Sequence, residues 1–100
     1  MNRALIESRL ALAERNLALA ERQVADSRER ILRQNEIIAH LVSSGRARTL
    51  TAKMAWDLLQ SLHAELAMHI ADRDRFRQWI VDEWGGHHRL AHRQQAPAKV

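Results

Sequence analysis

Six histidines, twelve carboxylates and no cysteine bound the chemistry open to this chain. His69 is followed by Ala71-Asp72-Arg73-Asp74-Arg75. A histidine with an acid and a guanidinium nearby can act as a base, a ligand or a polar device that sets register. Here the expected role is the last, a polar cluster of His69, Asp72 and Arg73 facing Gln23 or Ser27. Glu36 and His40 are four residues apart and share a helix face, which is half of a metal motif. A di-metal helical bundle needs Glu-x-x-His and further facing glutamates, and no Glu-x-x-His occurs. His87, His88 and His92 with Arg89 and Arg93 form a soft metal-binding patch at most. No Ser-His-Asp arrangement, phosphate loop or dinucleotide fingerprint is present. The expectation is therefore no catalytic residue, no cofactor, no metal and no small-molecule substrate. Without cysteine there is no disulfide and no thiolate site.

Cationic residues offer a second chemistry. Arg46 and Arg48 lie close together, as do Arg73, Arg75 and Arg77, and Arg89 and Arg93 follow. All could meet phosphates. The formal charge is +4 and the isoelectric point is about 11.0. Residues 85–100 carry Arg89, Arg93 and Lys99 and no acid, while the rest holds 13 basic and 12 acidic groups. The excess thus sits in a tail. Asp72 and Asp74 interleave the middle cluster, and alternating sign marks a solvated, ion-paired face. No continuous basic recognition helix is visible.

The elements that position these residues are helices. Ala, Leu, Arg, Glu and Gln dominate the 100 residues, and one Pro and three Gly leave little to interrupt them. Leu10, Leu17, Val24, Ile31 and Ile38 recur every seven residues. Ile6, Ala13, Ala20, Ser27, Gln34 and Leu41 fill the second seam position. This 3-4 spacing over more than four heptads predicts a coiled-coil-like helix over 3–43. A second helix is predicted over 49–84, capped by Thr49 or Thr51 and ended by Gly85-Gly86. Its seam is Ala52, Ala55, Leu59, Leu62, Leu66, His69, Arg73, Phe76 and Ile80. The connection at 44–48, with Gly45 as the stop, is short enough to make the helices antiparallel neighbours. Folding there brings together positions whose numbers sum to roughly 92: Ile31 with Leu62, Ser27 with Leu66, Ala20 with Arg73, Leu17 with Phe76. Glu14 and Glu21 then lie level with Arg73 and Arg77. The fold class is all-α, an antiparallel two-helix hairpin over 1–84 with a basic, flexible tail at 85–100.

A two-helix rod buries one stripe per helix, a thin core. Leu5, Leu12 and Leu19 form a second apolar column off the seam, and Trp56, Met54 and Met68 also fall off it. A second apolar stripe on a charged helix points to a partner surface. Leu5, Leu12, Leu19 and Trp56 are the expected interface of a homo-oligomer, most simply a four-helix bundle of two hairpins, or of a helical protein partner. Trp79 is expected to pack at the open end of the hairpin.

The stretches Ala20-Glu21-Arg22-Gln23-Val24-Ala25, Arg33-Gln34 with Ile37-Ile38, and His69-Ile70-Ala71-Asp72-Arg73-Asp74-Arg75 resemble a group of short uncharacterised bacterial helical-hairpin proteins. The resemblance spans roughly Leu10 to Ile80. It implies two long helices joined at a glycine turn and a bacterial cytoplasmic setting, and it carries over no functional residue. Where that group has an acid after the turn glycine, this chain has Arg46-Ala47-Arg48. A cytoplasmic location also fits Arg3, Glu7 and Arg9 near the N-terminus, which break any signal-peptide core, and the lack of a run near ~18 apolar residues. The leading expectation is a small non-enzymatic interaction protein. The alternative is a binder of nucleic acid or another anionic surface through Arg46, Arg48, Arg89 and Arg93.

Overall fold

A computed structural model describes residues 3–85, and they form a helical hairpin. Helix α1 spans Arg3–Ser43 and helix α2 spans Leu50–Trp79; a π-helical turn, Ile80–Gly85, continues α2. Between Arg3 and Ser43 no Gly or Pro occurs, so nothing breaks the 41-residue ladder. α1 stops because Gly45 adopts a left-handed φ of +76°. With it the Gly45 N–H donates to the Val42 carbonyl at 3.1 Å and the Arg46 N–H to the Leu41 carbonyl at 2.8 Å. This Schellman pair satisfies carbonyls that the helix end leaves open. Ser44 adds its hydroxyl, donating to the His40 carbonyl at 2.7 Å.

Thr49 starts the return helix. Its backbone is extended and its Oγ1 accepts from the Ala52 N–H at 3.2 Å, an N-cap bond. The same hydroxyl donates to the Arg46 carbonyl at 2.8 Å, which ties the cap to the turn. At the far end the Ile80 N–H reaches both the Phe76 and Arg77 carbonyls as the helix widens into the π turn.

The seam between the helices is the core. Ala13, Ala20, Val24, Ser27, Ile31, Gln34, Ile38 and Leu41 are buried on α1, and Ala52, Ala55, Leu59 and Leu62 on α2. The contiguous apolar cluster lies in the half nearest the turn, from Ile31 and Ile38 to Leu59 and Leu62, with Leu66 packed against it. Toward the open end the seam loosens. Leu10, Leu17, His69, Arg73, Phe76 and Ile80 are half-buried. The cause lies in the residue types: small Ala13, Ala20 and Ser27 on one side, ionisable His69 and Arg73 on the other. The thinnest dimension of the molecule is 14 Å against a length of 72 Å. Among the described residues the architecture is one layer of helices with both broad faces open, whereas domains ordinarily stack at least two. Among the described residues no helix is long and apolar enough to cross a membrane.

Candidate interaction surface

Two interhelical ion pairs identify the edges of the seam. Arg30 meets Glu65 at 3.8 Å on one edge, and Glu21 meets Arg77 at 3.6 Å on the other. Residues seven apart share a column along each helix. The Glu65 edge therefore carries Arg9, Asn16, Gln23, Arg30 and Ile37 from α1, and Leu58, Glu65, Asp72 and Trp79 from α2. The next column outward on α1 holds Leu5, Leu12 and Leu19, then Asp26, Arg33 and His40; on α2 it holds Met54, Ser61, Met68 and Arg75, with Asp82 beyond in the π turn. Together they make one broad face.

That face carries large apolar side chains at both ends, bordered by charged ones. At the open end, Arg9, Leu12, Asn16, Arg75, Phe76 and Trp79 line a groove of about 450 Å³. Near the turn, Arg33, Glu36, Ile37, His40 and Leu41 line a second depression of about 440 Å³. Leu5, Leu12 and Leu19 are each about half exposed, at 47%, 54% and 51%, and Ile37, Leu58 and Met68 match them. The sequence-derived column of leucines is thus on the surface and on a single face. Trp79 lies at the open end as expected, lining the groove with Leu12 and Phe76, and is 38% exposed.

Trp56 does not join them. It lies three heptads before Arg77, in the Glu21–Arg77 column, so it faces the opposite side of the hairpin. Of the residues expected to associate, Leu5, Leu12 and Leu19 therefore share one broad face and Trp56 lies on the other side. The residues that complete the leucine face are Ile37, Leu58, Met68 and Trp79. Their signal was available in the sequence, because equivalent flanking positions neighbour each other across an antiparallel heptad pair.

The expected cluster of His69, Asp72 and Arg73 is not assembled either. Arg73 buries its stem in the seam and turns its guanidinium to Asp74, Nη2 to Oδ1 at 3.1 Å. Asp72 pairs with Arg75. The Nδ1 of His69 is buried with no hydrogen-bond partner. The polar bond that crosses the seam is elsewhere: the buried Gln34 Nε2 donates to the Ala55 carbonyl at 2.8 Å. A lone glutamine among apolar seam positions was the sequence signal for it.

The arginines divide in two. Arg73, Arg75 and Arg77 are each engaged by an acid. Arg46 and Arg48 are exposed at the turn, and among the described residues neither meets a carboxylate at ion-pair distance. Arg89 and Arg93 lie outside the described residues, as do the tail and its histidine patch. Among the described residues no three His, Asp or Glu come together as a metal site. No protein-family profile, no curated protein and no solved structure matches the chain.

Proposed function

We propose that this chain is a small interaction protein that works without catalysis, by burying the Leu12–Leu19–Trp79 face against the helices of a second copy. The observation that carries the proposal is a single-layer fold with large apolar side chains half exposed along one broad face, while the core is confined to the seam. At ~1.5 Å per residue the face is about 50 Å long, and two helices make it about 20 Å wide. That is on the order of 1,000 Å² per copy, against ~800 Å² per partner in a standard stable interface. At ~25 cal/mol per Å² of apolar area, covering it supplies the burial that a two-helix seam lacks. The test is the triple variant Leu5→Glu/Leu12→Glu/Leu19→Glu. It should remain helical by circular dichroism yet sediment as a single chain. A triple variant that sediments like the parent refutes the face as an interface.

A second reading, contact with an anionic polymer at the turn, is favoured by one observation: Arg46 and Arg48 are exposed there with no acid beside them. It expects DNA to be retarded at low salt, with affinity falling steeply as salt rises and lost in Arg46→Ser/Arg48→Ser. Unretarded DNA at low salt removes it.

A further inference from the structure

The leucine face carries its charge asymmetrically, and this bears on how a second copy sits. Along the Glu65 edge, α1 contributes Arg9 and Arg30 and no acid, whereas α2 contributes Glu65 and Asp72 and no base. Resting on the self-association proposed above, we infer that the two copies lie parallel, with both turns at the same end, related by a twofold axis along the rod. In that arrangement α1 of each copy covers α2 of the other at the same height.

The level of each residue follows from its distance to the turn at ~1.5 Å per residue. Arg30 then lies level with Glu65 of the second copy and Gln23 with its Asp72. Leu12 and Asn16 lie against its Trp79, and Ile37 lies against its Leu58. Each apolar end meets an apolar end, Arg30 meets an acid, and Asp72 meets a neutral amide. The opposite orientation also brings apolar ends together, because Leu12 and Ile37 are about 38 Å apart along α1. It does so by stacking α1 on α1 and α2 on α2. Asp72 then approaches Glu65 of the second copy, and Asp26 approaches its own counterpart. Like charges set together at an interface disfavour that pairing. The observed ion pair between Arg30 and Glu65 at 3.8 Å shows that these two columns already complement each other within one hairpin. The parallel arrangement repeats the complement between hairpins.

The chain has no cysteine, so one introduced thiol reports cleanly. Ala47 is exposed in the turn, outside both helices. A nitroxide on Ala47→Cys, measured by pulsed electron spin resonance in the full-length protein, should give a distance under about 30 Å, the diagonal of a four-helix bundle plus label arms. A distance of about 60 Å or more, which places the two turns at opposite ends of the rod, overturns the parallel arrangement while leaving self-association intact. The labelled protein should also sediment as a dimer. Sedimentation as a single chain, with no resolvable distance, overturns both the arrangement and the self-association beneath it.

Discussion

His69 occupies a seam position in which its Nδ1 is enclosed and unpartnered. A buried polar atom without a hydrogen bond costs about 1–3 kcal/mol relative to a satisfied one. Replacing it with a similar-sized apolar group removes that penalty. His69→Leu should therefore raise hairpin stability by about 1 kcal/mol in chemical denaturation. Gln34 is the contrasting case, since its amide is spent on the Ala55 carbonyl at 2.8 Å. Gln34→Ala should lose about 1–2 kcal/mol, from the bond and from the gap left behind. If His69→Leu destabilises and Gln34→Ala does not, the polar assignments in the seam are reversed. Heptad position tells that both residues face inward. It does not tell which polar group finds a partner, because that depends on side-chain reach across the seam. Hence Gln34 passed as seam filler, while His69, Asp72 and Arg73 were expected to bond together. In the fold Asp74 and Arg75, exposed next door, capture the charges of Arg73 and Asp72.

At the level of elements, the turn concentrates the specific chemistry. Gly45 at φ +76° is open in space, with nothing within 4 Å of where a Cβ would stand. The obstacle to a side chain there is thus backbone conformation and not crowding. A non-glycine residue in left-handed geometry costs about 1–2 kcal/mol. Gly45→Ala should lower stability by about 1 kcal/mol in denaturant titrations, and an unchanged midpoint contradicts the left-handed assignment. The helices were legible because seven-residue periodicity, sparse Gly and Pro, and a Ser-Ser-Gly stop beside Thr49 all agree. The π-helical turn at Ile80–Gly85 was not. Its residues are compatible with an ordinary helix, and no side-chain pattern marks the widened hydrogen bonding.

Across the whole molecule, what matters is the mismatch between a thin core and a wide apolar face. The leucine column was readable from its spacing on α1. Spacing around α2 alone does not say which of its flanks lies beside the leucines, so the place of Trp56 was not legible. The antiparallel pairing decides which flank of α2 lies beside which flank of α1. It puts Trp79 and Leu58 next to Leu12 and Ile37, and it leaves Trp56 with Glu21 and Arg77. A face so composed is a candidate partner surface, and the balance of Arg30 against Glu65 and Asp72 is what supports the proposal that a second copy of this chain covers it.

Sedimentation equilibrium of the unmodified chain over a wide concentration range tests this most directly. The account predicts twice the 11.6 kDa chain mass, dissociating on dilution. A mass of 11.6 kDa at every concentration would contradict it.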